Sequence, residues 1–361
     1  MNKTSFQENW FYKGQPVALP HDAMLHEARR ADAPGGSAVA FFPDGEYVYE
    51  KTFARPEAEH VVFEFEGVYK NAKVYLNGKE AGGTAYGYLP FFVNADAFLV
   101  DGENTIRVEC AVKHPDSRWY SGAGIYRPVW LWTGPQNSIE PESVRIGTVS
   151  VDPAVIRVQS EKAVRVEVEG MTGEGTDFTM TIPNAKLWSD ETPHLYTAKV
   201  TSGADETELK FGIRKVEWSP KGLFVNGRQT LLKGGCVHHD SGILGAATYD
   251  ESEYRRVKIL KEAGFNAIRS SHNPCSRAML DACDSLGVYL MDETWDMWFH
   301  HKTKYDYATE WRAHYLSDID AIVARDFNHP SVILYSIGNE VSEPAKPEGV
   351  EKTREMVEHI H

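Results

Sequence analysis

The sequence predicts a multidomain β and α/β protein. A jelly-roll-like β-sandwich spans residues 1–137, an immunoglobulin-like β-sandwich 138–221, and the N-terminal half of a (β/α)8 TIM barrel 222–361. Three observations lead there. In the first two stretches short segments alternate apolar with polar residues, which marks strands with one face in a core. In the third, strand-like and helix-like segments alternate strictly, which requires right-handed parallel crossovers. The strands of that third stretch are apolar without alternation, as in a sheet covered on both faces.

In the first stretch the strands are "YVYEKTF" (47–53), "HVVFEFEGV" (60–68), "AKVYLNGKEAG" (72–82), "NTIRVECAV" (104–112) and "RPVWLWTG" (127–134). Asn77-Gly78 signals a hairpin because both residues accept positive φ. The second stretch holds "VRIGTVSV", "KAVRVEVEG", "DFTMTIP", "YTAKVTSG" and "TELKFGIRKVEW", a set that suits a small immunoglobulin-like sandwich. In the third, "TLLKGG" (230–235) is the first strand. "DESEYRRVKILKEAG" (250–264) is a helix with Asp250 as cap, Glu253 closing a capping box, Tyr254, Val257, Leu260 and Ala263 on one face, and Gly264 as stop. "FNAIRSSH" (265–272), "VYLMDE" (288–293) and "SVILYSIGNE" (331–340) are the next strands, with helices at "CSRAMLDACDSLG" (275–287) and around 310–327.

Composition narrows the function classes. The 52 acidic against 38 basic side chains give a net charge of -14, a surface that repels a nucleic-acid backbone. No apolar run is long enough to span a membrane, and the start "MNKTSFQENWFYKG" has no signal-peptide core. Four cysteines without C-x-x-C spacing suit reduced thiols, so the expected location is cytoplasmic. A small neutral molecule is the expected partner.

The chemistry gathers where the barrel strands end. Successive strands lead to "VHHD", "SSHNP", "DETWD" and "GNE", and in such barrels function sits at the carboxyl ends of strands. Glu340 is the candidate general acid. In a dry, aromatic-lined mouth, burial would raise its pKa and keep part of it protonated near neutrality. Gly338 is expected to let the backbone turn there, and Asn339 to bond a substrate hydroxyl. His239 and His272 are candidates to line the site, with His238 structural and His300 and His301 on the surface. Asp292, Glu293, Trp295 and Asp296 crowd the end of the third strand, offering acceptors for hydroxyls and an indole platform; helix capping is the alternative role for Asp292 and Asp296. "DSRWYSGAGIYRPVWL" (116–131) is expected to pack against another domain and reach toward the mouth, and "FNHPSV" (327–332) to lie at the opposite, structural end. No H-E-x-x-H, phosphate loop or nucleophile elbow is present, so neither metal nor cofactor is expected.

These residues resemble glycoside hydrolase family 2, the family of β-galactosidases, β-glucuronidases and β-mannosidases. The resemblance runs through "LPHDAM" (19–24), "VYLNGK" (74–79), "SGAGIYRPVWL" (121–131), "KGGCVHHD" (233–240), "FNAIRSSHNP" (265–274), "YLMDET" (289–294) and "RDFNHPSVILYSIGNE" (325–340). It implies that Glu340 is the acid/base, that Asn339 contacts the sugar beside the scissile bond, and that His239, His272 and Glu293 line the sugar site. It also implies retaining hydrolysis by two carboxylates ~5–5.5 Å apart. The nucleophilic Glu of the family belongs to a later barrel strand, whereas His361 follows Glu340 by only 21 residues. Glu343, Glu348 and Glu351 are poor substitutes, so this stretch alone is expected to be inactive and to be part of a longer polypeptide. "DETWDMW" and "KTKYDY" favour the galactosidase type, with β-glucuronidase or β-mannosidase as alternatives. The magnesium ligands of some galactosidases have no match at Asp296, Met297 and Trp298. A non-catalytic carbohydrate-binding or assembly fragment is the alternative from another class. Association of family members into dimers or tetramers admits a homo-oligomer.

Overall fold

A computed structural model describes all residues, 1–361. Two antiparallel sheets form the N-terminal sandwich. One runs, in spatial order, Asn2–Ser5, Val129–Gly134, His60–Phe65, Phe91–Asn94; the other runs Gln15–Val17, Trp10–Tyr12, Gly45–Ala54, Glu103–Val112, Ala72–Leu76, Lys79–Thr84. Alternation does its work in Glu103–Val112, where every second residue is buried. The Asn77-Gly78 hairpin forms with both residues at positive φ, 49° and 79°. The core between the sheets is filled by Phe63, Phe65, Tyr47, Tyr49, Val74 and Ile106.

The second all-β region is a five-stranded arrangement of Val144–Val151, Ala154–Val168, Met171–Thr181, Tyr196–Ser202 and Asp205–Phe211, with its own core of Ile156, Val158, Val166 and Val200. A small sheet of Val216–Ser219, Gly222–Val225 and Arg228–Thr230 follows, so the 221/222 position falls at a hairpin turn.

Four strand-helix units complete the chain: β1 (Gly234–His238), α1 (Asp250–Glu262), β2 (Ala267–Ser271), α2 (Arg277–Leu286), β3 (Tyr289–Glu293), α3 (Ala308–Asp326), β4 (Val332–Ser336) and α4 (Pro347–Ile360). The strands are parallel in the order β1-β2-β3-β4. Within these units the expected elements shift at the first strand and at the start of α1. The first strand lies at 234–238 rather than 230–235, because pairing with Ala267–Ser271 fixes it there while Leu231 is left exposed. And α1 is capped at Tyr249 without a side-chain bond, while Glu253 is buried rather than reaching back. By contrast α2 has the caps its sequence signals, Ser276 accepting from Met279 N at 3.1 Å and left-handed Gly287 closing the end.

The three regions are stitched together through polar bonds and a shared core. The Asn328 side chain accepts from Ile146 N (2.8 Å) and donates to Val144 O (2.9 Å), and Arg214 donates to Pro330 O and Val332 O. His329 donates to Asp284 of α2 at 2.6 Å, so "FNHPSV" braces the barrel base through His329 and joins it to the immunoglobulin-like sheet through Asn328. On the other side the sandwich core continues into Trp295, Met297, Trp298, Tyr307 and Trp311 of the β3–α3 segment. Tyr86 Oη donates to Thr294 O (2.5 Å) and Lys70 Nζ to Tyr305 O (2.6 Å) across that boundary. All four cysteines are free thiols, and no helix is long and apolar enough to cross a membrane.

Candidate active site

Strand phase decides which end residues face the concave side of the sheet. In β1, Cys236 and His238 share a face, and Cys236 Sγ receives a bond from Arg269 Nη1 at 3.6 Å. Arg269 in β2 then donates to Glu293 Oε2 (3.0 and 2.6 Å) and Asn339 Oδ1 (2.9 Å). Glu293 also accepts from Ser336 Oγ of β4 (2.6 Å) and from His272 Nδ1 (2.7 Å). Three neighbouring strands therefore meet on one carboxylate.

Asn339 is buried just beyond β4. Its Nδ2 donates to Asp296 Oδ1 at 2.8 Å, and its carbonyl accepts from Lys302 Nζ at 2.5 Å. Asp296 is buried too, and accepts from Lys302 Nζ (3.0 Å) and twice from Arg118, through Nε (3.0 Å) and Nη2 (2.5 Å). Burial alone would raise the Asp296 pKa, but the bonds from Arg118, Asn339 and Lys302 outweigh it and hold the carboxylate below its ordinary value.

Arg118 comes from the sandwich loop, as expected of "DSRWYSGAGIYRPVWL". The loop is held by buried groups. Asp116 accepts from Tyr69 Oη (2.9 Å) and His114 Nδ1 (2.9 Å), while Tyr120 Oη donates to Asp22 Oδ2 (2.6 Å). Asp22, from "LPHDAM", also accepts from Ala123 N and Ala246 N and so ties the loop to the barrel. Gly122 sits at φ 69° where a Cβ would come within 2.4 Å of Ala246 Cβ, so glycine is required for this close approach. The next residue after Arg118, Trp119, packs its indole 5.2 Å from the His238 ring and 5.6 Å from His272, with His238 and His272 5.4 Å apart.

Several expectations change with this geometry. Asp292 and Trp295 do not face the cleft. Asp292 points to the helix side, where it accepts from Ser270 Oγ (2.6 Å) and Cys275 N (3.0 Å) and pairs with Arg325 of α3. Trp295 is fully buried, donating to Asp318 Oδ2 at 3.0 Å under Trp311. The indole at the cleft is Trp119. His239 turns toward the sandwich, donating from Nε2 to Ser121 O (3.0 Å), with its ring edge-on to Tyr88 and Tyr126. Burial pushes its pKa down to about 3, so it is a neutral anchor. His238, assigned a structural role by the sequence, is the histidine in the cleft; burial and then His272 hold its pKa below the ordinary value. Arg118, Trp119, His238, Arg269 and Lys302 were absent from the sequence candidates. Arg118 and Trp119 lie within the 116–131 stretch expected to reach the mouth, and the alternation of Cys236 with His238, once the strand is placed, signals His238.

Glu340 follows Asn339 with φ 46°. Its side chain is 70% exposed, so the dry mouth expected around it is not formed by these residues: the sheet is open beside β4. The carboxylate has one bond, from Arg118 Nη1 at 3.1 Å. Gly338 does not adopt the left-handed region; a Cβ there would stand 2.8 Å from Trp298 Nε1, so it serves close packing under the indole. The set of side chains best placed for a metal, Asp281, Asp284 and His329, lies around the strand starts, away from the cleft.

A parallel α/β sheet whose strand ends are walled by a loop from a β-sandwich, with carboxylates, an amide and rings converging there, defines a barrel-type α/β protein with a polar cleft at the carboxyl ends of its strands. Family models match along most of the chain: residues 35–119 match the glycosyl hydrolase 2 galactose-binding domain-like model, 138–214 the glycosyl hydrolases family 2 model, and 216–361 the glycosyl hydrolases family 2 TIM barrel domain. The chain belongs to glycoside hydrolase family 2. It is 38% identical to the beta-galactosidase BoGH2A of Bacteroides ovatus over 90% of this chain and 43% of that protein. It is 32% identical to a putative beta-glucuronidase of Formosa agariphila over 96% of this chain and 38% of that protein. Thus it spans less than half the length of either relative. A solved family 2 member from Bacteroides cellulosilyticus superposes with a TM-score of 0.93 at 31% identity, over 100% of this chain and 54% of the other.

Proposed function

We propose that residues 1–361 carry the acid/base half of a retaining β-glycoside hydrolase of the β-galactosidase type. In this reading the domains are 1–137, 138–221 and 222–361. Glu340 protonates the leaving oxygen and later activates water. Asn339, His272, Glu293 and Asp296 hold the sugar hydroxyls, His238 stands in place of His239, and the Trp119 face packs against the ring carbons. The observation that carries the reading is the convergence of these groups at the carboxyl ends of four parallel strands, with Glu340 exposed and within reach of a ligand. Within residues 1–361 each cation at the cleft is already paired, Arg269 with Glu293, Lys302 with Asp296, and Arg118 with Asp296 and Glu340, so this stretch offers no free cation to a uronate carboxylate.

Retention needs a second carboxylate ~5–5.5 Å from the first. Glu343 is buried and accepts from His300 N at 2.9 Å, and Glu348 pairs with Arg312 on the outside of α4. In this proposal the nucleophile therefore comes from outside residues 1–361, which alone turn over no substrate. The test is Glu340→Gln in the intact, active polypeptide, assayed on aryl β-galactosides with good and poor leaving groups. Loss of a general acid lowers kcat/KM for the poor leaving group by on the order of 10²–10⁴-fold and for the good one far less. Equal losses on both would overturn the role of Glu340.

A further inference from the structure

We infer that Arg118, supplied by the N-terminal sandwich, is the positioning residue for Glu340, so that the sandwich loop is a working part of the cleft. This rests on the acid/base role proposed for Glu340 and adds how that side chain is held.

The argument begins with Glu340 itself. Its carboxylate is exposed, and its one bond comes from a residue 222 positions earlier in the chain. A free glutamate side chain samples many rotamers, and ordering it costs conformational entropy. A general acid has to lie within hydrogen-bond reach of the glycosidic oxygen, so that freedom works against catalysis. Nothing on β4 or in the turn after it restrains the carboxylate. Arg118 does.

Arg118 is suited to this because its own direction is fixed. Two of its nitrogens, Nε and Nη2, bond the two oxygens of Asp296 as a fork. Asp296 is buried and further held by Asn339 and Lys302, and its depressed pKa keeps it a carboxylate. The third nitrogen, Nη1, is left to face Glu340 Oε2. The loop behind it is held by Asp116 and Asp22. A lysine could meet one carboxylate at this place but could not bridge two with a planar fork.

The contact is compatible with both states of an acid/base residue. Arg118 touches only Oε2, which accepts from the guanidinium whether the group is ionised or protonated on its other oxygen. Oε1 has no partner and is free to carry the proton toward the leaving oxygen, or to receive one from water.

The experiment compares Arg118→Met and Arg118→Lys with Glu340→Gln in the intact, active polypeptide, on aryl β-galactosides spanning good to poor leaving groups. Arg118→Met is expected to lower kcat for the poorest leaving group at least tenfold more than for the best. Arg118→Lys should recover part of that difference, and KM should move less than threefold in either variant. A thermal melt accompanies each variant, and if Arg118→Met does not fold, Arg118→Lys alone decides on the same leaving-group ratio. Equal losses across the series for both Arg118 variants, with Glu340→Gln still selective for poor leaving groups, would overturn the positioning role while leaving the acid/base reading intact. A Glu340→Gln variant without selectivity would instead overturn that reading and this inference with it.

Discussion

Asp292 and Glu293 are chain neighbours of nearly the same chemistry, yet they leave β3 on opposite faces. Glu293 joins Arg269, His272 and Ser336 on the cleft side, while Asp292 pairs with Arg325 beneath α3. Arg325 and Asp292 are both buried, so removing the acid strands a guanidinium that has only Asp326 and the Cys275 carbonyl left. Asp292→Ala is therefore expected to cost about 3–5 kcal/mol of folding stability in urea unfolding, the range for breaking a buried ion pair from one side. A loss below about 1 kcal/mol would mean that Asp326 alone satisfies Arg325. The sequence could not separate the two acids, because "VYLMDE" is apolar on both sides and shows no phase. His238 and His239 were exchanged for a related reason. With the first strand read four residues early, both histidines fell in a loop; with β1 at Gly234–His238, alternation puts His238 beside Cys236. Glu340, Asn339, Glu293, His272 and Asp296 could be named as candidates because an abrupt polar ending to an apolar run carries information even without phase, and the structure gathers them at the strand ends.

Elements were legible where their ends carry their own chemistry, as at Ser276 and Gly287 of α2, and were displaced where tertiary pairing sets the boundary, as at β1. The tertiary setting of α3 also explains why Trp295 is no platform. Asp318 on this helix accepts from Trp295 Nε1 (3.0 Å) and Tyr307 Oη (2.9 Å), drawing the β3–α3 segment under the helix. Burial lifts the Asp318 pKa to about 6, with the bonds from Tyr307 and Trp295 and the charge of His314 pulling the other way. The folded state thus holds this proton up to about pH 6, whereas the unfolded chain releases it near the ordinary carboxylate value of 3.8. Because the folded state binds more protons in that window, stability falls as pH rises from about 4 through about 6 and is flat beyond. Asn at 318 keeps an acceptor and does not titrate. Relative to the parent, Asp318→Asn is expected to gain roughly 1–1.5 kcal/mol between pH 5 and pH 7.5, read as the difference of paired urea titrations. A difference that does not change between the two pH values would show that Asp318 is not the titrating group.

At the scale of the whole molecule, the order of two sandwiches and a half barrel could be read from changes in periodicity along the chain. The joins could not, because they pair residues far apart with no local signature. Lys70 bonds Tyr305 across 235 positions, and Tyr86 bonds Thr294 across 208. These joins divide the molecule unevenly. The sandwich shares one apolar core with Trp295, Trp298, Tyr307 and Trp311, whereas the immunoglobulin-like sheet has a separate one. The sandwich and the β3–α3 segment should therefore lose structure together, and the central sheet apart from them. Tyr86 is the natural probe: it is buried, its ring lies 4.5 Å from Tyr307, and its hydroxyl bonds Thr294. Tyr86→Ala, a large aromatic deletion of the kind that costs about 3–5 kcal/mol, is expected to speed amide exchange in strand Gly45–Ala54 and in α3 alike. Exchange in Ala154–Val168 should hardly change. In the converse experiment, Val166→Ala should speed exchange in the central sheet and leave α3 protected. If Tyr86→Ala loosened only the sandwich strands and left α3 untouched, the shared core would not couple the two regions. The precision with which Arg118 is carried to the cleft would then have to come from its loop alone.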